Sequence, residues 1–231
     1  TNFVGPFKQL WPERRQKGDY LLLLNNDVEV VNGDWLTELL RQCAHPGGAA
    51  ICGAMLWYPD ETIQHAGIVT GLGGYAGHSH KYKKKGGSGY LFRTSTVQDF
   101  SGVTGACLLV KTAVYDEMHG LDEQFAVAFN DVDFCLRVRD AGYRIAWTPY
   151  AELIHYESKS RGGDEKDPVK AARFAAEQQR LYTIHGKENI LDDPYYNPNL
   201  TRDREDFSES DDLRRLKEGR VTVRFRGGTL Q

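Results

Sequence analysis

The chain has 231 residues, a formal net charge of −3 and a pI near 6.2. This balance argues against a general nucleic-acid-binding protein, because such proteins usually present a strongly basic surface. Hydrophobic residues make up 40% of the sequence, which is enough for a sizeable core, and no apolar run approaches the 18 or so residues that span a membrane.

The four cysteines have no CxxC spacing, and each lies in an apolar or helical context: Cys43, Cys52, Cys107 and Cys135. This pattern predicts reduced core thiols in a cytosolic protein and argues against a zinc site.

The first predicted element is an apolar run, Tyr-Leu-Leu-Leu-Leu at 20–24, which stops at Asn25, Asn26 and Asp27. Such a run predicts a buried parallel strand, and a strand of this kind delivers the residues after it to the sheet edge where α/β proteins bind ligands. Asn and Asp offer the oxygen ligands that Mg²⁺ or Mn²⁺ prefers. The same residues are also common in a plain turn.

Helices and strands alternate after this run, which predicts an α/β fold with one domain over residues 1–190 and a loosely attached polar tail or extension over 191–231. Residues 1–16 show no strand–turn–helix unit of the kind that cradles a nucleotide base. Helices are predicted at 34–43 with Asp34 as N-cap, 112–119, 130–141 and 170–184. Strands are predicted at 49–58, 63–69, twice within 97–111, at 144–148 and 152–156 on either side of Pro149, and at 221–225.

Residues 71–89 contain seven glycines, His78, His80 and a basic cluster at 81–87, and they predict a long exposed loop. The basic cluster fits either a solvated loop or a contact for phosphate or anionic lipid headgroups at a membrane surface. The two histidines have no carboxylate near them in sequence and do not predict a metal site.

A second polar cluster begins the helix predicted at 130–141. Asp131 falls in its first turn, where unpaired N–H groups and the helix dipole hold a carboxylate ionised, as a general base requires. A simple helix cap is the alternative. Asp133 and Arg137 are four residues apart and are suited to brace one helix face.

His155 follows a short predicted strand. It is either a packed or capping residue or a third metal ligand, and imidazole suits Mn²⁺ better than Mg²⁺.

Five pieces in order resemble family 2 glycosyltransferases of the GT-A fold, especially bacterial enzymes of O-antigen, rhamnan-type and other surface polysaccharide assembly. They are Leu-Leu-Asn-Asn-Asp-Val-Glu at 23–29, Gly-Ala-Cys-Leu-Leu-Val at 105–110, Gly-Leu-Asp-Glu at 120–123, Asn-Asp-Val-Asp-Phe-Cys-Leu-Arg at 130–137, and His155. The similarity extends from about residue 17 to residue 190.

The resemblance implies a mixed, Rossmann-like sheet flanked by helices, and an inverting transfer of a sugar from a nucleotide-diphosphate donor to a glycan or lipid-linked acceptor. Residues 25–27 match the family's metal-binding triplet, with Asp27 as the main ligand and His155 as a second. Asp131 matches the catalytic base. The remaining matches, on the donor and acceptor sides, are Asp133, Arg137, Gly105 and Ala106. With the cysteine pattern and the basic cluster, we expect a cytoplasmic location, with any membrane contact at the inner face.

The sequence departs from the family pattern in three ways. Asn25 replaces an Asp of the metal triplet, Asn130 replaces the Glu common before the base, and the family's first strand and base-binding segment are not recognisable. We therefore expect part of a domain from a longer parent chain. A non-catalytic sugar-binding or scaffold module is the alternative, while a nucleotidyltransferase would require a Gly-rich phosphate loop that the sequence lacks.

Overall fold

A computed structural model describes residues 18–156, 167–211, 223–225 and 228–230. The expectation that residues 1–16 lack a nucleotide-binding unit, and with it that of an N-terminally truncated domain, lies outside these residues.

Within them lie five α-helices and eleven strands. The helices are α1 (Trp35–Cys43), α2 (Thr112–Glu117), α3 (Asn130–Asp140), α4 (Pro168–His185) and α5 (Lys187–Leu191). The strands are β1 (Tyr20–Leu24), β2 (Val28–Val30), β3 (Ile51–Trp57), β4 (Ile63–His65), β5 (Ile68–Thr70), β6 (Ala76–His78), β7 (Gln98–Asp99), β8 (Cys107–Lys111), β9 (Ile145–His155), β10 (Val223–Phe225) and β11 (Gly228–Leu230).

The main sheet is mixed, with the order β1-β8-β3-β9-β2, β4 on β3 and β7 on β9. In the described chain, β3 and β9 form the single parallel pair and the other pairs are antiparallel. The α/β class is thus confirmed, with a mixed rather than parallel sheet.

The prediction of a buried parallel β1 was wrong. β1 runs antiparallel to β8, its one described neighbour, and it is only partly buried. Its apolar residues pack on both faces of the sheet, Leu21 and Leu23 on one and Tyr20 and Leu22 on the other. An uninterrupted apolar run indicates that both faces of the strand are covered. It does not indicate whether the neighbouring strand is parallel or antiparallel.

Alternation along the strands divides the core into two layers, because successive side chains point to opposite faces. Cys52 and Leu56 of β3 join Leu39 and Cys43 of α1 on one face, whereas Ile51 and Met55 join the larger cluster with Phe134 of α3 on the other. All four cysteines are buried free thiols. Burial raises the pKa of Cys43 to about 11 and those of Cys107 and Cys135 to about 12.

Several predicted elements are subdivided or extended. Gly67, at φ +98°, separates β4 from β5, and a side chain there would collide with Phe100. The strands expected on either side of Pro149 form one element, β9, with a register break against β3. Asp34 occupies the N-cap of α1, but its carboxylate accepts from Asn32 rather than from the helix backbone.

Residues 71–89 are only partly the exposed loop that was expected. The first half contains β6, which pairs with β5, and Ser79 and His80 are fully buried. Residues 82–88 are exposed.

The tail after residue 190 is not loosely attached in its described part, since Tyr196, Leu200 and Phe207 are buried in the larger core cluster. Of the strand expected at 221–225, residues 223–225 form β10, paired with β11.

Candidate functional site

All of the predicted site residues except Asp133 and Arg137 lie at or against one edge of the main sheet. β1 and β3 both run antiparallel to β8, and β9 runs parallel to β3. The carboxyl ends of β1, β3 and β9 therefore share an edge with the amino end of β8. This edge receives residues 25–27 after β1, the turn at 104–106 before β8, and His155 at the end of β9.

The ring of His155 is held in one orientation by Gln64 of β4. Gln64 Oε1 lies 2.6 Å from His155 Nδ1, and Asn25 Nδ2 lies 3.0 Å from Nε2. Because the amide oxygen can only accept, Nδ1 carries a proton, and Nε2, which faces the site, is an acceptor whose partner here is the Asn25 amide. This is the tautomer that a metal-ligating imidazole needs, with its other nitrogen held by an outer partner.

Asp27 faces the same nitrogen. Its Oδ1 lies 3.2 Å from His155 Nε2, and this oxygen is buried without a hydrogen-bond partner in the described chain, although the side chain as a whole is 42% exposed. Two lone pairs at this distance repel each other unless a proton or a cation lies between them. Metal–ligand bonds of about 2.1 Å at right angles place adjacent ligand atoms about 3 Å apart, so the pair fits Mg²⁺ or Mn²⁺.

The described residues supply only two ligands of this kind, because they contain no group of three or more His, Cys, Asp or Glu side chains arranged around one point. A cation held here would complete its coordination with water or phosphate oxygens. Asn25 contacts His155 through its amide, and Asn26 is exposed between Asn25 and Asp27.

The turn at residues 104–106 connects this pair to Asp131. The backbone N–H of Asn25 donates to the Ala106 carbonyl (3.0 Å), and the Gly105 N–H donates to Asp131 Oδ2 (2.9 Å). The two predicted clusters, far apart in sequence, thus contact adjacent residues of one turn.

Asp131 lies in the first turn of α3, as predicted, and is partly exposed. Its Oδ1 accepts from the Val132 N–H (2.9 Å). Phe129, at φ +63°, forms the N-cap. Both carboxylate oxygens are therefore oriented by backbone donors at the amino end of a helix.

Asp133 and Arg137 form a structural network instead of lining the site. Asp133 is 1% exposed, and its Oδ2 accepts from Arg137 Nε (2.9 Å) and Nη2 (2.7 Å) while its Oδ1 lies 2.8 Å from His185 Nε2. Arg137 also donates to the carbonyls of Met118 and Gly120. The pair braces α3 against α4 and the 118–120 turn.

Asp131 opens onto a cleft of about 740 Å³. The cleft is lined by four aromatic side chains, several charged groups and one imidazole: Tyr75, Tyr82, Phe129, Phe174, Lys81, Asp203, Arg204, Glu205, Asp206 and His78. His78 lies in β6 rather than in a loop, while His80 is buried and its Nε2 accepts from the Tyr90 N–H (2.9 Å).

Sequence reasoning missed the partner that orients His78. His65 Nε2 lies within 3.3 Å of the Gly67 N–H and 3.4 Å of the Thr104 N–H, so it acts as an acceptor. His65 Nδ1 must then donate to His78 Nδ1, 2.8 Å away, which leaves the proton of His78 on Nε2. Burial lowers the pKa of His78 to about 3 and that of His65 well below its usual value, so both rings are neutral. The signal that the sequence offered was the polar pair Gln64-His65 between the apolar residues Ile63 and Ala66 of a predicted strand.

Glu177 was also missed. This α4 residue is 4% exposed, and its carboxylate accepts from the backbone N–H groups of Ala126 (3.1 Å), Val127 (3.3 Å) and Ala128 (2.7 Å). It fixes the loop that leads into α3 and Asp131. No pattern in the sequence distinguishes it from other acids on a helix.

Comparison with known proteins identifies relatives in bacterial polysaccharide synthesis, whereas no family model matches the chain. The chain is 46% identical over 194 residues to the uncharacterized protein y4gI of Sinorhizobium fredii, an alignment covering 84% of the chain and 21% of that protein. It is 36% identical over 200 residues to the O-antigen biosynthesis protein RfbC of Myxococcus xanthus, covering 86% of the chain and 15% of RfbC.

A shorter match, 32% identical over 80 residues, joins 35% of the chain to 24% of the N-acetylglucosaminyl-diphospho-decaprenol L-rhamnosyltransferase of Mycobacterium tuberculosis. The chain therefore spans about a quarter or less of the length of each of these relatives. These alignments relate it by sequence to bacterial glycosyltransferases and to proteins of surface-polysaccharide synthesis.

Proposed function

We propose that the chain is the acceptor and metal-binding portion of a GT-A-type, family 2 glycosyltransferase. It would move a sugar, with inversion, from a nucleotide-diphosphate donor to a glycan or lipid-linked acceptor in surface polysaccharide synthesis. The observation that supports this most is the turn at residues 104–106, which bonds Asn25, beside the Asp27–His155 pair, on one side and Asp131 on the other, at a single sheet edge.

Asp27 and His155 would hold Mn²⁺ or Mg²⁺ on the donor side. The cation, when bound, neutralises the charge that develops on the leaving diphosphate. Gln64 keeps the His155 lone pair directed at the site. Asn25 adds no charge, so cation binding depends partly on the phosphates of the donor.

Asp131 would take the proton of the acceptor hydroxyl while that oxygen attacks the anomeric carbon. A bond forms between the acceptor oxygen and the anomeric carbon, and the bond from that carbon to the diphosphate oxygen breaks on the opposite face. The N–H groups of Gly105 and Val132 hold the carboxylate in place for this transfer.

The Asp131 cleft suits the neutral part of an acceptor. Its carboxylates outnumber its cations, with four acids including Asp131 against Lys81 and Arg204. Carboxylates accept hydrogen bonds from sugar hydroxyls but repel phosphate. The His78 Nε2–H is available as a donor, and the aromatic side chains offer faces for a sugar ring.

The decisive test is Asp131→Asn in the full-length parent chain. Asn keeps an oxygen for the Gly105 N–H but cannot accept the proton, so transfer should fall by about 10² to 10⁴, measured as nucleoside diphosphate released from a panel of nucleotide sugars. The exposed Asp140→Asn is the matched control and should retain activity. Near-normal turnover in Asp131→Asn, with unchanged thermal unfolding, would contradict the proposal.

Metal dependence is tested separately by calorimetric titration of Mn²⁺ with a panel of nucleoside diphosphates. Binding that requires Mn²⁺ and is lost in Asp27→Asn and His155→Leu is the expected result. Binding of glycans alone, with no metal-dependent nucleotide binding, would instead indicate the non-catalytic sugar-binding module.

A further inference from the structure

The turn at residues 90–92 displays two large apolar side chains to solvent. Leu91 is 75% exposed and Phe92 is 66% exposed, among the highest values for apolar residues in the described chain. Exposed aromatic and aliphatic side chains side by side commonly mark a contact surface.

The backbone holds these side chains outward in a strained conformation. Leu91 and Phe92 have φ values of +46° and +60°, in the left-handed region that bulky residues avoid. The turn is nevertheless firmly anchored. The Tyr90 N–H donates to buried His80, and the Thr94 N–H and hydroxyl donate to the carbonyls of Ser88 and Gly87.

The segment that contains this turn is strongly basic. Residues 81–93, which we call the docking loop, carry five cationic side chains and no acidic one: Lys81, Lys83, Lys84, Lys85 and Arg93. Lys83 and Lys84 are exposed, whereas Lys85 is paired with Glu152 at 3.0 Å. The turn and the lysines belong to one connected segment, because the Thr94 hydroxyl just after the turn donates to the carbonyl of Gly87, three residues after Lys84.

We propose that the docking loop binds an anionic membrane surface, with Leu91 and Phe92 entering the interface and Lys83 and Lys84 contacting lipid phosphates. Adjacent apolar and lysine side chains match the two components of such a surface, its acyl boundary and its negative charge. Lys81 and Tyr82 also line the Asp131 cleft, so docking would place the cleft mouth beside the lipid headgroups. This inference does not depend on the proposed transferase activity.

The experiment measures how much of the full chain sediments with two kinds of vesicle. One contains only phosphatidylcholine, and the other also contains phosphatidylglycerol at a mole fraction of ~0.3, which makes its surface anionic. The first variant combines Leu91→Asn with Phe92→Asn. Asn tolerates the left-handed region, so unfolding stability should be unchanged or higher. Binding to the anionic vesicles should fall by about tenfold or more.

The second variant combines Lys83→Gln with Lys84→Gln. Each lysine near an anionic surface contributes about fivefold in affinity, so about 25-fold weaker binding is expected at low salt, with little change on neutral vesicles. The matched control is Val169→Gln with Ile184→Gln, which removes two exposed apolar side chains from α4 and should bind like the unaltered chain.

Three outcomes would overturn the proposal. The unaltered chain does not sediment with anionic vesicles, or the docking-loop variants bind as well as the control. Alternatively, Leu91→Asn with Phe92→Asn dissociates a dimer in ultracentrifugation without changing vesicle binding, which would assign the surface to a second copy of the chain.

Discussion

Single residues at the sheet edge depend on hydrogen bonds that set their chemistry. Asp27 and His155 present facing acceptor atoms only because the Gln64 amide oxygen accepts a hydrogen bond from His155 Nδ1–H, which keeps the proton of the ring on Nδ1. If that proton moved to Nε2, the imidazole would lose the lone pair that a metal requires.

We expect Gln64→Leu to weaken Mn²⁺ binding by about 10- to 100-fold, because removal of an outer partner releases the ring orientation and tautomer of the ligating histidine. Calorimetric titration with Mn²⁺ and nucleoside diphosphate measures this. Gln64→Glu retains an acceptor for Nδ1 and should keep most of the affinity. Equal affinities in the Leu variant and the unaltered chain would exclude Gln64 from this role.

Sequence alone singled out Asn25, Asp27, Asp131 and His155 as candidates because each stands at an end of a recognisable element within a known motif. It did not identify Gln64 or His65, whose partners lie 91 and 13 residues away. A pairing of this kind depends on strand registration, which the local pattern does not contain.

Among the elements, α3 is the one whose placement matters most for the site. Its bounds were predicted well from its apolar positions and from Gly142, which adopts φ +87° just beyond the helix. Its position relative to the sheet depends on contacts from α4, through Glu177 on the preceding loop and His185 on Asp133.

Glu177→Gln should destabilise the fold by about 1–3 kcal/mol, since an amide has one acceptor oxygen where the carboxylate serves three partly buried N–H groups. Urea unfolding measures the change. Glu188→Gln, on exposed α5, is the control and should cost less than about 1 kcal/mol. A Glu177 variant as stable as this control would show that the loop is held by other contacts.

At the scale of the whole molecule, the segment after residue 190 packs back onto the main sheet. Tyr196 and Phe207 pack against the side of the sheet opposite α1, and Phe207 stacks on His80 with ring centroids 4.1 Å apart. The Glu205 carboxylate accepts from the His78 N–H at 2.7 Å, so this segment also forms one wall of the Asp131 cleft. Among the described helices, none is both long and apolar enough to cross a membrane.

Phe207→Ala should lower the free energy of unfolding by about 3–5 kcal/mol, the usual cost of removing a buried aromatic ring. Phe92→Ala is the matched control, because its ring is 66% exposed and its loss should have little effect. Similar unfolding curves for the two variants would show that the segment after residue 190 contributes little to stability. That result would support the loosely attached tail expected from its polar composition.

Stability should also decrease as the pH is lowered from 7 to 5. Burial lowers the pKa values of His78 and His80 to about 3, so between about pH 6.5 and 3 the unfolded chain binds protons that the folded chain does not. The stabilisation is complete above pH 6.5 and is lost as the pH falls, by up to about 1.4 kcal/mol per pH unit for each histidine.

Urea unfolding at pH 5, 6 and 7 tests this slope. His80→Asn, which suits the φ of +57° at this position, should flatten it by up to one proton. An unchanged slope in this variant would mean that other groups determine the pH dependence.

The sequence by itself determined the α/β class, most helix bounds and the polar residues that stand where β1 and β9 end and where α3 begins. These follow from apolar periodicity and from polar residues placed where elements end, which are local properties of the chain. Only the tertiary structure decided the direction of β1, the histidine pair, the Glu177 brace and the return of the C-terminal segment onto the cleft. Each of these depends on which distant groups share a buried site, and that is fixed by sheet registration and packing rather than by any local pattern.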